Sequence, residues 1–498
     1  MPLFKKPIEQ ELFNLRLRAG RPLTELQFYA KELTAWESSP ARKEMLDGDR
    51  YYSGDHDILK RKRTAIGPDG KLIPVPNLPN NKIVDNQYAK HVDQKANYLL
   101  GQPISFDCEN TEYAQKVKKI LGKRFMRVLK NAGVECFNSG IAWLYPFYNK
   151  NNELAFRLFP GYEVLPFWAD AAHTELDSAI RLYPVEVYEG PEKKVIRKAD
   201  IFKPDGVATY IFENGTLTPD PDSQKENYVT ILNDSGPVKG LNWERLPLIP
   251  IKYNAKEIPL IRRGRGLQDA INLLQSDFVN AMEEDAGNTV LVLRNYDGQD
   301  LGEFRKNLAT YRAIKVRTFE GKDGGVDSLQ IEVNAETYKT VLDLLKKALI
   351  ENLRSYDAKD DRLSGNPNQM NIQSMYSDID LDANAMETEL QAAFEDLFWF
   401  VNTYLASIGE GDYGDEEISV IFNRDILINE SEAIDNCAKS AGIISDDTIV
   451  AMHPWVDDPA AELERLKKQK EEDDPYRASF EQAQALRTAE GGEPVNEE

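Results

Sequence analysis

The sequence predicts an α+β fold, and three observations carry that prediction. Five runs of period-two hydrophobicity follow one another at residues 141–148, 154–159, 178–188, 195–202 and 207–212, joined by turn residues such as Pro204-Asp205-Gly206 and Asn214-Gly215. Sequential hairpins of this kind build a mostly antiparallel sheet. Helical patterns lie before and after the strands and do not alternate with them. Two helices of similar length also bracket a small insertion that has strands of its own.

Taken in order, residues 8–50 are polar and helix-prone, with an irregular apolar face from Leu12 to Trp36. Lys60-Arg61-Lys62-Arg63 reads as a solvated surface, and Pro74, Pro76 and Pro79 as an extended connector. A helix opens at Asn80 and runs through Tyr88, His91 and Lys95 to Leu99, stopped by Gly101 and Pro103. Two more helices lead to the strands, residues 219–240 are loop-rich, and 247–253 form a short strand. The helix at 267–285 presents Leu267, Ile271, Leu274, Phe278 and Met282 on one face. The insertion, 286–333, has strands at 289–294 and 312–318, a short helix at 301–308 and a glycine turn at 321–325. Its seven basic residues balance seven acidic ones, which sets it apart in an acidic chain. A helix at 334–356 returns, so the insertion sits on a two-helix stalk.

A polar loop, residues 357–378, separates that helix from a longer one at about 380–408, which Ser377 and Asp380 open as a capping box and Gly409 closes. Gly365 and Pro367 break regular structure there. The amides and hydroxyl of Ser364, Asn366, Asn368, Gln369 and Asn371 bond to many partners without adding charge. So long a loop between two helices is a presented element. Residues 418–423 return to the earlier sheet, and helices follow at 430–440, 445–452 and 459–470. The last 28 residues hold nine acidic and two basic side chains and read as disordered.

The totals exclude several classes. A formal charge of -22 rules out wrapping DNA by broad phosphate neutralisation, which needs Lys and Arg. Cys108, Cys136 and Cys437 are odd in number and far apart, which argues against a disulfide framework. The N-terminus has no signal-peptide pattern and no segment has the length of a membrane span, so we expect a soluble protein made inside the cell. Gly67-Pro68-Asp69-Gly70-Lys71-Leu72 lacks the hydroxyl residue of a phosphate-binding loop and reads as a turn. His56, His91, His173 and His453 have no partner at metal-ligand spacing. Asp378, Asp380 and Asp382 are the best candidates for a divalent metal, in a phosphodiesterase or nuclease, yet at spacing two on a helix they diverge. The residues therefore point to a structural or assembly protein with no cofactor, no metal and no catalytic residue.

Four motifs in this order resemble the portal proteins, or head-to-tail connectors, of tailed double-stranded-DNA bacteriophages, in particular long-tailed phages of Gram-positive hosts. They are Tyr51-Tyr52-Ser53-Gly54-Asp55-His56-Asp57-Ile58-Leu59, Asn80-Asn81-Lys82-Ile83-Val84 with Tyr98-Leu99-Leu100-Gly101-Gln102-Pro103-Ile104, Arg263-Gly264-Arg265-Gly266-Leu267 leading into Ile271-Asn272, and Phe422-Asn423-Arg424-Asp425. The resemblance covers residues 45–470 and implies a dodecameric ring around a DNA channel at one capsid vertex, assembled in the host cytoplasm. It implies an N-terminal helical segment of the wing at 1–65, an α+β wing at 66–262, and stem helices at 263–285 and 334–356. The clip would be 286–333, the tunnel loop 357–378, a long wing helix with its returning strand 379–428, the crown 429–470 and an acidic tail 471–498. Ser364, Asn366, Asn368, Gln369 and Asn371 would then touch DNA weakly. Arg294, Arg305, Arg312 and Arg317 would dock the terminase large subunit and later the head-tail adaptor, while capsid and scaffolding proteins surround the ring. A monomeric assembly scaffold without a channel is the other alternative.

Overall fold

The Gln27 amide donates to the Thr24 hydroxyl while the Gln27 side chain accepts from the Thr24 amide, and this capping box starts α1 (Glu25–Glu37). Ser39 caps α2 (Pro40–Tyr52), whose first residue is a proline that a helix start accepts. Both belong to a computed structural model that describes residues 23–66, 70–74, 79–221, 225–233, 236–287, 290–294, 325–329, 335–357, 369–424, 430–456 and 459–472. The chain divides into two compact units, one of Met1–Ser355 with Asp378–Asp425, the other of Tyr356–Ser377 with Ile426–Glu498.

In the first unit a hairpin of β1 (Thr64–Ile66) and β2 (Leu72–Pro74) precedes α3 (Gln87–Leu100), β3 (Ser105–Asp107), α4 (Thr111–Ile120) and α5 (Lys123–Ser139). α5 stops at Gly140, where a φ of +81° and a would-be Cβ 2.2 Å from the Glu257 carbonyl exclude any side chain. Then come β4 (Ile141–Tyr148), β5 (Leu154–Phe159), β6 (Val164–Trp168), β7 (Leu176–Glu189), β8 (Glu192–Lys203), β9 (Gly206–Glu213), β10 (Thr216–Pro219), β11 (Val229–Asn233), β12 (Gly236–Leu241) and β13 (Ile249–Lys252). They are antiparallel as expected but form separate sheets: β10-β9-β8-β7-β6, β13-β4-β5, and the hairpin β11-β12. Pro160 and the short turn Gly161–Glu163 redirect the chain after β5, so β6 pairs with β7.

α1 buries Phe28, Leu33 and Trp36 on the five-stranded sheet, against Leu165, Ile180, Ala199 and Phe212. Trp143, Phe159, Trp168 and Phe202 join the two larger sheets, with Trp143 and Trp168 stacked 5.7 Å apart. Aromatic layers of this kind supply most of the burial energy.

α6 (Ile261–Gly287), β14 (Val290–Arg294), β15 (Gly325–Leu329) and α7 (Ala335–Asn352) make the stalk. A Cβ on Gly264 would lie 2.9 Å from Leu353 and 3.1 Å from Leu349, Phe278 meets Tyr338 at 4.8 Å, and Val290 pairs with Leu329. α6 and α7 thus pack antiparallel, and β14 and β15 pair antiparallel as well. α8 (Gln369–Ser407) is 39 residues long, about 58 Å at 1.5 Å per residue. β16 (Ser419–Ile421) follows in the first unit, and α9 (Glu430–Ser440), α10 (Asp446–Ala451) and α11 (Pro459–Glu472) lie in the second.

Four expectations need correction. The helix expected from Asn80 begins at Gln87, for a reason given below. Residues 219–240 hold the β11-β12 hairpin and are not all loop. β16 pairs with β3 and does not join a larger sheet. The loop expected to end at 378 ends sooner, because helix α8 is already running at Gln369; Ser377 and Asp380 are therefore interior residues and cap nothing. The helix at 301–308, the strand at 312–318 and the tail after 472 lie outside the described residues.

The close pass at Gly264 yields a test: Gly264→Val should overpack the stalk and lower unfolding free energy by about 1–3 kcal/mol in urea titration, with trypsin cutting α6 and α7 sooner.

Candidate functional site

α6 buries a polar stripe on the face that leaves the stalk partner. Gln268, Asn272, Ser276 and Asn280, four residues apart in one row, are each 0% exposed. Facing them is the segment 79–86, which is extended and belongs to no strand. The Asn81 amide donates to Asn280 Oδ1 at 2.7 Å, Ile83 to Ser276 Oγ at 3.0 Å, Asp85 to Asn272 Oδ1 at 3.0 Å and Tyr88 to Gln268 Oε1 at 2.9 Å. Backbone amides shielded from water need acceptors, and side chains of α6 stand in for a neighbouring strand. That is why helix α3 waits until Gln87.

Beside this ladder lies an ion cluster. Arg265 reaches Asp47 at 2.5 Å and Asp57 at 2.8 Å, and Arg50 reaches the same two carboxylates at 2.7 and 2.9 Å. Burial pushes the Asp57 carboxyl up, but Arg265 and Arg50 outweigh it and bring the pKa to about 2. Tyr51 donates to Asp269 at 2.6 Å. His56 is 0% exposed and stacks on Tyr51 at 4.5 Å; burial lowers its pKa, so the ring is neutral. With Asn272 Nδ2 2.7 Å from Nδ1, the network assigns the proton to Nε2, which donates to the Tyr51 carbonyl at 2.9 Å. Arg61 and Arg63, expected to be solvated, bond to Asp277 at 2.8 Å and the Pro79 carbonyl at 2.7 Å and so fasten the same segment.

A second cluster closes the base of the stalk. Lys95 on α3 and Asp382 on α8 are 2% and 4% exposed and 2.9 Å apart. Tyr253 donates to Asp382 at 2.5 Å, Arg263 at the start of α6 is 3.2 Å away, and Arg354, just past α7, is 3.6 Å away. Lys95 also donates to the Arg354 carbonyl at 2.9 Å. Burial opposes the Asp382 charge, yet Lys95 and the Tyr253 hydroxyl outweigh it and hold its pKa below the usual carboxylate range. Burial pulls the Lys95 ammonium down despite Asp382. Asp380 is taken by Tyr98 and Arg424, each at 2.5 Å, and Asp378 is exposed. Asp380 and Asp382, two of the three aspartates considered for a metal, thus engage different partners while Asp378 is exposed, and among the described residues no His, Cys, Asp and Glu cluster fits a metal.

Of the residues expected to meet DNA, Gln369 and Asn371 sit on the first turn of α8, while Ser364, Asn366 and Asn368 lie outside the described residues. Arg294 ends β14; Arg305, Arg312 and Arg317 lie outside. What sequence reasoning missed is the base itself. The signal was present in the strict four-residue spacing of uncharged polar residues from Gln268 to Asn280, beside the apolar face from Leu267 to Met282.

The geometry defines an α+β body whose buried polar ladder and ion clusters hold the base of a two-helix stalk. The chain belongs to the phage portal protein family: residues 37–476 match the family model described as Phage portal protein, SPP1 Gp6-like. It is similar to the portal protein of Bacillus phage SPP1, 28% identical over 428 residues that cover 85% of this chain and 83% of that one. It is also similar to the portal protein of Clostridium phage phiCD119, 29% identical over 437 residues covering 85% and 92%. Three motifs that carried the resemblance meet in space here, since the stretch from Tyr51 to Leu59, Asn81 with its neighbours, and Arg265 with Asn272 are one hydrogen-bonded unit.

Two outcomes follow for the base. Asp382→Asn leaves the buried Lys95 ammonium without its counter-charge and should cost about 3–5 kcal/mol, read by chemical denaturation. Asp57 and Asp382 have depressed folded pKa values, so their stabilisation is complete above the ordinary Asp value near 4 and is lost as pH falls through the folded values. Acid unfolding followed by circular dichroism should therefore steepen below about pH 4, and Asp57→Asn should flatten it.

Proposed function

We propose that the chain is one subunit of a closed ring, about a dozen copies, that surrounds a DNA channel at one vertex of the phage capsid. The observation that carries this reading is the portal-family match running from residue 37 to 476. Through this channel the terminase motor packages double-stranded DNA, and the genome leaves by the same route at infection. The stalk helices are the stem, residues 286–333 the clip, 357–368 with the first turn of α8 the tunnel loop, and 429–470 the crown. Terminase and later the head-tail adaptor dock on the clip, around Arg294, Arg305, Arg312 and Arg317. The ring itself is set into the capsid shell with its scaffolding proteins.

Two physical features support the ring. Leu273 and Met282 on α6 and Val341 and Leu344 on α7 are 43%, 55%, 39% and 62% exposed, an apolar display along a stalk that neighbouring copies would cover. A charge of -22 per copy keeps the channel from holding the duplex, because phosphate contacts repeated around a ring would make a trap. Ser364, Asn366, Asn368, Gln369 and Asn371 supply neutral contacts in its place. No helix among the described residues is long and apolar enough to cross a membrane.

Native mass spectrometry with axial negative-stain images tests the ring; closed rings with a central hole are the expected result and a stable monomer favours a channel-free scaffold. Replacing Asn368 and Gln369 with alanine should reduce the DNA packaged in vivo, and full packaging would remove the contact role. Charge reversal of the four clip arginines should abolish stimulation of the terminase and binding of the adaptor.

A further inference from the structure

Residues 113–134 run for 22 positions without an Asp or Glu and carry seven Lys and Arg, in a chain whose formal charge is -22. They take in most of α4 and the first part of α5, joined at Leu121-Gly122. Lys116 is paired locally, with Glu112 at 2.8 Å and Glu410 at 3.2 Å. The other six, Lys118, Lys119, Lys123, Arg124, Arg127 and Lys130, make no ion pair with any described residue. Lys119 shares a cavity wall with Glu153 and Glu410 without pairing with either. All but the half-buried Lys130 are exposed.

Both helices hold these cations outward. α4 buries Tyr113 and Val117, and α5 buries Phe125, Leu129 and Ala132, so three-and-four spacing leaves Lys123, Arg127 and Lys130 together on the opposite side of α5. From Lys123 to Lys130 the helix covers about 10 Å, a length of duplex that carries about six phosphate charges. The face also lies away from the base of the stalk, since Phe125 meets Phe394, about 18 Å along α8 from Asp382.

What the face lacks identifies its occupant. Between residues 79 and 187 no large apolar side chain is exposed, whereas a protein partner needs an apolar centre to its interface and makes little use of Lys. The rings at hand, Tyr113 and Phe125, are buried, which leaves unpaired bases nothing to stack on. We propose that the α4–α5 face binds the phosphate backbone of double-stranded DNA, outside the channel and without reading sequence. Gln115 and Asn131, also exposed, add uncharged donors. The choice of DNA among polyanions rests on the portal reading. Six cations on one face make a local contact in a chain whose total charge excludes wrapping, and a hold here leaves a duplex in the stem free to move.

Binding of the full chain to closed circular plasmid is the test, because a covalently closed duplex cannot thread a ring. The wild type should bind it, less tightly as salt rises. The variant Lys118→Gln, Lys123→Gln, Arg127→Gln, Lys130→Gln should bind about tenfold more weakly at about 50 mM salt, with a flatter salt dependence. Lys118→Arg, Lys123→Arg, Lys130→Arg, which keeps the charge, should bind as the wild type does. Lys60→Gln, Lys193→Gln, Lys225→Gln, Lys468→Gln removes as much charge from lysines that already have acidic partners and should leave binding unchanged. No plasmid binding by the wild type, no loss in the first variant, or an equal loss in the last one overturns the proposal. Binding to polyglutamate in place of the plasmid assigns the face to an acidic protein and overturns it too. Native mass spectrometry of the same samples reads the ring separately, so the portal reading and this face can fail independently.

Discussion

Four hydrogen bonds from the amides of one extended segment to one row of buried side chains on α6 set the position of everything at the base of the stalk. Each rung alone contributes about 1 kcal/mol. Their joint effect is geometric, because they fix both the rotation and the axial position of α6 against residues 81–88. The ion clusters around Arg265 and Asp382 both engage α6 just before Gln268 and depend on that placement, since each draws residues from three or more separate elements.

The two clusters differ in kind. The Arg265 cluster is partly exposed, with Arg265 and Asp57 41% and 40% accessible, so salt and solvent weaken it. The Asp382 cluster is sealed. A buried charge group of that sort adds little net stability over an apolar equivalent, but it penalises every misalignment. It joins α3, the first turn of α6, the end of α7 and α8, so it reports whether both stalk helices and the long helix are seated together.

Much of this was legible in the residues. The bounds of β4 and β5 match the sequence expectation residue for residue, because each is bounded by sharp breakers, although β4 is buried on both faces from Ile141 to Leu144. The stalk was readable from two helical patterns around a charge-balanced insertion, although the expected similarity in length fails: α6 has 27 residues and α7 has 18. The failures share a cause. Asn80 to Asn86 looks like a helix start only if its amides bond locally, and here a distant helix captures them. Gln268 to Asn280 looks like a solvated stripe because no local rule says a polar row will be buried against backbone. Gln369 looked like loop because Pro367 and the asparagines Asn366, Asn368 and Asn371 around it are poor helix formers, and an established helix extends through an asparagine such as Asn371 at little cost.

The ladder also limits its own length. A rung every four residues of helix recurs at about 6.0 Å, whereas every second residue of an extended chain recurs at about 6.6 Å. The mismatch is about 0.6 Å per step and accumulates to about 1.2 Å over the two such intervals from Asn81 to Asp85, more than the spread of good hydrogen-bond distances. The two rows therefore act as a vernier, in register at one setting only. Its fourth rung is reached at Tyr88, where the chain has begun to coil and shortens its step. A slip by one rung would carry the growing error into every bond, so α6 has one seat on this segment.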